Sequence, residues 1–186
     1  GAPRQSLDKD VIPQQAPSLS ALPEATNSAS ILVEGYTEAG AALDILVNDR
    51  ISLTDKAKED GSFSAIAILD ADSNRVQVRA TDEAGNVSIS EVEIVELDRK
   101  PIEILIASPK DGTEFFGKNN QVIDIKGESN KKDSQVIINS SFVILEKDGS
   151  FVHRIQLQNG TNEIKAVASD KAGNSTEKVI TLIYTP

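Results

Sequence analysis

Short runs of alternating apolar and polar residues fill most of this chain. In "RVQVRA" (75–80), Val76, Val78 and Ala80 fall on one face, with Gln77 and Arg79 on the other; "EIKAVA" (163–168) repeats this with Ile164, Ala166 and Ala168. Ile31/Val33 and Ile123/Ile125 alternate in the same way, as do Leu43/Ile45/Val47 and Ser134/Val136/Ile138. A period of two marks a strand with one buried face. No window carries a 3.6-residue helical stripe. The turn-forming groups "EDGS", "EAGN", "KDGS", "QNGT" and "KAGN" separate the runs, as hairpin and sandwich connections require. The pattern predicts an all-β chain built from antiparallel β-sandwiches of about seven short strands each.

The pattern is also written twice. Residues 60–86 and 148–174 align at a constant offset of 88, with 11 of 27 positions identical. Asp60-Gly61-Ser62-Phe63 meets Asp148-Gly149-Ser150-Phe151, Leu69 meets Leu157, and Asn74 meets Asn162. Earlier the offset becomes 91, where Asn48 meets Asn139, and then 92, where Gly35 meets Gly127. Offsets that change only between apolar runs keep strands and let loops absorb insertions, which is the signature of a duplicated domain. The boundaries expected are 17–97 and 98–186, joined at "LDRKP" (97–101), with residues 1–16 a Pro- and Gln-containing linker.

The most repeated phrase is Ala-(Thr/Ser)-Asp-x-Ala-Gly-Asn, at 80–86 and 168–174. It lies between the last two strands of each copy. Asp82 and Asp170 suit hydrogen bonds to turn amides. Gly85 and Gly173 admit positive φ, and Asn86 and Asn174 tolerate unusual backbone angles. These six residues read as a structural corner. The rival reading is calcium, which takes oxygen ligands from turns. Asp82, Glu83, Glu96 and Asp98 are its candidate donors in the first copy. The second copy has Lys171 where the first has Glu83, so the site would not be shared.

The order "GYTEAGA" (35–41), "DGSF" (60–63), "NRVQVRATDEAGN" (74–86) resembles bacterial immunoglobulin-like repeats, in particular the glucodextranase-type extracellular modules found in tandem. The second copy keeps "SPKDG" (108–112), "DGSF", "NGTNEIKAVASD" and "AGN", but shows "SNKKD" (129–133) in place of "TEAGA". The resemblance implies a seven-stranded immunoglobulin-like sandwich without catalytic residues or a fixed ligand. It also implies an extracellular or cell-surface location, as a monomer within a longer multi-domain chain.

Composition narrows the chemistry. The chain lacks cysteine, methionine and tryptophan, which removes thiol nucleophiles and zinc-thiolate or iron–sulfur sites. Residues 1–98 hold 7 Lys+Arg against 18 Asp+Glu, and residues 99–186 hold 12 against 11. Neither half offers the basic stripe that nucleic-acid binding needs. No run approaches the roughly 18 apolar residues of a membrane span, and "GAPRQSLDKD" carries no apolar stretch of the signal-peptide kind. His153, the single histidine, lies in phase with Phe151 and Ile155, the position of a half-buried strand residue. No paired carboxylates recur at matching positions, so no enzyme is expected.

Sugar binding favours exposed aromatics. The adjacent pair Phe115-Phe116 must point to opposite faces, which makes it the candidate ligand contact. A Lys–Asn cross-link needs a buried lysine, whereas Lys126, Lys165 and Lys178 fall on polar phases or strand ends. The four Asn-x-(Ser/Thr) triplets, at Asn86, Asn139, Asn159 and Asn174, all fall at turns. The expected function is a spacer, stalk or adhesion segment with a protein or glycan partner. The alternative is an accessory carbohydrate-binding or positioning module of a polysaccharide-active enzyme.

Overall fold

Alternation becomes pleated sheet throughout the described residues, 15–186 of a computed structural model. The expected linker lies almost entirely outside them. The chain divides into two units between Asp98 and Arg99.

The first unit contains β1 (Ser18–Leu19), β2 (Ala25–Thr26), β3 (Ser30–Tyr36), β4 (Ala42–Val47), β5 (Arg50–Lys56), β6 (Ser62–Ile68), β7 (Ser73–Thr81), β8 (Val87–Ile89) and β9 (Glu93–Leu97). One sheet runs β1-β3-β6; the other runs β2-β9-β7-β4-β5, with β8 also on β7. The second unit contains β10 (Ile104–Ser108), β11 (Glu114–Phe116), β12 (Val122–Ser129), β13 (Gln135–Ile138), β14 (Ser141–Val143), β15 (Ser150–Gln156), β16 (Gly160–Ser169) and β17 (Ser175–Thr185). Its sheets run β10-β12-β15 and β11-β17-β16-β13-β14. A 3₁₀ turn at Lys118–Asn120 is the one helical element among the described residues.

One feature departs from the all-antiparallel expectation. The first strand of each unit splits and serves both sheets, and its second half pairs in parallel with the last strand. Ala25 and Thr26 pair with Glu96 and Leu97, and Glu114–Phe116 pair with Ile183–Thr185. Pro23 and Pro109 lie in the breaks. Pro109 directly follows β10 and has no N–H to donate to the ladder, so pairing with the first sheet stops there; in the first unit it already ends at Ser20, before Pro23.

The period-two residues form two aliphatic cores. Val33, Ile45, Val76, Val78, Ala80 and Val95 are fully buried in the first, and Ile125, Val136, Ile138, Ala166, Ala168 and Leu182 in the second. Burying each large aliphatic side chain contributes about 1.5–3 kcal/mol. Phe63 and Phe151 are 3% and 2% exposed, and each fills its core because a glycine leaves room. A Cβ on Gly35 would overlap the Ser18 carbonyl and lie 2.8 Å from the Phe63 ring; on Gly127 it would overlap the Leu105 carbonyl and lie 2.6 Å from Phe151. The aligned glycines therefore let the edge strand and the core phenylalanine meet on one strand.

The aligned asparagines also have a shared purpose. Asn48/Asp49 and Asn139/Ser140 all have positive φ, forming two-residue hairpin loops of the type that matches strand twist. The Asn48 side-chain oxygen accepts from Arg75 N at 2.9 Å, and that of Asn139 accepts from Lys165 N at 2.8 Å. Each asparagine thus stitches its hairpin to the neighbouring strand. Asn74, wholly buried, accepts from the Asp70 and Ala71 amides and from Asn48 Nδ2, and donates to the Ala71 and Val95 carbonyls.

Candidate functional site

The repeated phrase turns the chain from β7 into β8 and from β16 into β17. In the first copy, Asp82 Oδ1 accepts from Asn86 N at 2.8 Å, and Oδ2 accepts from Asn86 Nδ2 at 2.8 Å. Asp82 N donates to Asn86 O and Gly85 N to Asp82 O. In the second copy, Asp170 Oδ1 accepts from Asn174 N at 2.9 Å and Ala172 N at 3.0 Å, while Oδ2 accepts from Asn174 Nδ2 at 3.0 Å. Gly85 and Gly173 take φ of 88° and 92°, where a Cβ would clash with the backbone. The Asp82 carboxylate bonds within its own turn, and that of Asp170 does so in part. Hydrogen bonds from Asn86 hold the Asp82 carboxyl below its ordinary range.

The second corner has an additional partner. Lys131 Nζ donates to Asp170 Oδ2 at 2.6 Å and to Lys100 O at 2.8 Å. The pair is part-buried, with Lys131 at 15% and Asp170 at 5% side-chain exposure. Burial opposes ionisation of Asp170, but hydrogen bonds from Lys131 and Asn174 outweigh it and leave the carboxyl below its usual range. Around Lys131, Ser129 Oγ and Ser134 Oγ both donate to Lys131 O. Lys131 belongs to the "SNKKD" segment that distinguishes the second copy, and the difference between the copies was its only sequence signal.

The calcium candidates are not brought together. Asp82 and Glu83 follow the end of β7, whereas Glu96 pairs with Ser73 at its start. The nine-residue strand separates them by about 25–30 Å at ~3.3 Å per residue. Glu96 instead accepts from Ser73 Oγ at 2.9 Å, and Asp98 N bonds to Thr26 O at that same end. Among the described residues, no group of three or more His, Cys, Asp or Glu side chains is placed to hold a metal ion.

Strand alternation separates Phe115 from Phe116, which is 60% exposed, while Phe115 packs on the second core. Phe115 also lines an open groove of 550 Å³, with Pro109, Thr113, Ile123, Asp124 and Lys126. Asp124 there accepts from Arg154 Nε at 3.0 Å. A second recess of 670 Å³ is bordered by Glu103, Glu128, Lys132, Asp148, Glu177 and Lys178, charges of both signs. His153 is half-buried on β15. Lys165 pairs with Glu177 at 3.4 Å, both half exposed. Phe142, on edge strand β14, and Ile144, just after it, are 71% and 85% exposed, which no motif in the sequence marks.

Known proteins are similar to this chain. Residues 20–98 and 102–185 each match the family described as glucodextranase, domain B. Over 157 residues, 82% of this chain, the sequence is 36% identical to bacillopeptidase F of Bacillus subtilis strain 168, of which the match spans 10%. Among solved structures, the chain is similar to the fibronectin(III)-like modules of Clostridium thermocellum CbhA. The TM-score is 0.63 at 12% identity, over 91% of this chain and 94% of that one; such a likeness speaks for the fold alone. No helix among the described residues is long and apolar enough to cross a membrane. The chain belongs to the glucodextranase domain B family and carries two consecutive copies of its immunoglobulin-like module.

Proposed function

We propose that the pair is a non-catalytic spacer or stalk segment of an exported, multi-domain bacterial protein. The observation that carries this reading is the fate of the repeated polar residues. Asp82, Asn86, Asp170 and Asn174 hydrogen-bond within their turns, and Asn48, Asn74 and Asn139 at hairpins and strand ends. What duplication has kept is the frame that holds a sandwich together. The relative's much greater length, of which the match is 10%, fits a segment whose partners lie elsewhere along a longer chain. Replacing the pair by two unrelated sandwiches of equal length within the protein that carries it tests the reading. A spacer tolerates the exchange, whereas lost activity or attachment refutes the proposal.

A second reading, accessory carbohydrate binding or positioning, is favoured by the groove beside Phe115 and by exposed Phe116. Titration with soluble oligosaccharides decides it: binding that Phe116→Ala weakens supports this reading, and no binding removes it.

A further inference from the structure

The chain between the two cores is fastened nearly to its midpoint from both sides. On the first unit, Leu97 N donates to Asp72 O at 2.8 Å and Asp98 N to Thr26 O at 2.9 Å. On the second unit, Lys131 Nζ donates to Lys100 O at 2.8 Å and Asn130 Nδ2 to Pro101 O at 3.2 Å. Asn130 also pairs with Glu103 in both directions: Glu103 N donates to Asn130 Oδ1 at 2.8 Å, and Asn130 N donates to Glu103 O at 3.1 Å. Between these anchors Ile102, 4% exposed, is part of the second core. Lys131 is itself fixed by Asp170 and by the Ser129–Ser134 hydroxyls around its carbonyl.

Asn130 and Lys131 belong to the second copy alone. Where it carries Asn130 and Lys131, the first copy has the "TEAGA" loop of residues 37–41, with neither residue. In the second copy the "SNKKD" segment, which replaces "TEAGA", thus holds the chain that enters the unit.

We infer that Asn130 and Lys131 form a strap that makes residues 100–103 a rigid part of the second unit. This goes beyond the spacer reading and is independent of it, since a strap of this kind serves a glycan-binding pair equally well. An ordinary charged, proline-containing link would leave several residues free. Here a polar strap holds Lys100, Pro101 and Glu103, and the core holds Ile102.

Limited trypsin digestion of the intact chain tests the strap at the Arg99–Lys100 bond. Proteolysis of a folded chain follows the population of the locally opened form. The wild-type bond should resist cleavage, and Asn130→Ala should speed cleavage there by about tenfold. Cleavage after Lys165 and Lys178, inside β16 and β17, should not change, because those sites report unfolding of the whole unit. Amide exchange of the wild type supplies a second reading without any variant: Glu103 N–H should be protected. Rapid wild-type cleavage at Arg99–Lys100, an unprotected Glu103 amide, or an Asn130→Ala variant cut no faster would each overturn the strap.

Discussion

Asp170→Ala is the substitution whose cost the structure specifies best, because the chain carries its own control in Asp82. The Asp170 carboxylate accepts from Ala172 N, Asn174 N, Asn174 Nδ2 and Lys131 Nζ and is 5% exposed. Truncating one partner of a buried ion pair costs about 3–5 kcal/mol, since the other charge is left uncompensated. Lys131 keeps its bond to the Lys100 carbonyl and 15% of its surface, which places the cost near the lower end, about 3 kcal/mol. For a unit of this size, 1 kcal/mol moves the midpoint by about 4–8 °C, so the expected drop is about 12–24 °C. Tyrosine fluorescence reads it, because the chain has no tryptophan and two tyrosines, Tyr36 and Tyr184. Tyr184 is 2% exposed in the second unit, whereas Tyr36 is 62% exposed in the first. The thermal change in emission therefore reports mainly the second unit. Asp82→Ala, followed by calorimetry, should lower the first unit's midpoint by less, because no lysine depends on that carboxylate. A drop below about 4 °C for Asp170→Ala, or one no larger than that of Asp82→Ala, would refute the assignment of the ion pair as the source.

The remaining expectations concern pH, packing and metal. Hydrogen bonds from Ser62 and Ser150 hold Asp60 and Asp148 below their ordinary range, as Asn86 does for Asp82; at Asp170 the bonds from Lys131 and Asn174 overcome burial. A carboxyl lowered in the folded state stabilises above its unfolded value, about 3.9, and that stability is lost as pH falls through the folded value. The urea midpoint should therefore be level near neutrality and fall below about pH 4. Asp170→Asn should flatten that fall in the Tyr184 signal, and an unchanged slope would assign it to other groups. Gly127→Ala should destabilise the second unit by about 1–3 kcal/mol or more, because its methyl would overlap the Leu105 carbonyl and press on Phe151; an unchanged denaturant midpoint would show that β10 yields without cost. Thermal midpoints should agree in excess EDTA and in millimolar calcium, since Asp82/Glu83 and Glu96/Asp98 lie at opposite ends of β7; a rise with calcium would reveal a folded-state ion site.

Much of this protein was legible as sequence because sheet geometry is local. A side chain's face is set by its parity along the strand, so Val76, Val78 and Ala80, and Ile164, Ala166 and Ala168, announce their burial in order. Turn chemistry is local too: Asp82, Gly85 and Asn86 bond within one loop, and the phrase alone implied that loop. The family resemblance rested on the same short motifs and their recurrence. Calcium at the first corner was the reading that proximity in sequence could not judge. Glu96 follows Asp82 by 14 residues, yet the return through β8 and β9 carries it to the far end of β7.

Composition and pattern by themselves determined two aliphatic sandwiches, their turns and the absence of thiol chemistry, because each follows from residues acting on near neighbours. The tertiary structure alone decided the rest. It split the first strand of each unit between two sheets, since parallel pairing with the last strand joins residues some 70 positions apart. It also buried Lys131 against Asp170 and turned Asn130 towards the link. Long-range contacts of this kind have no periodicity to betray them. A lysine in a polar loop reads as solvated until the fold places a carboxylate and a carbonyl within reach of its ammonium group.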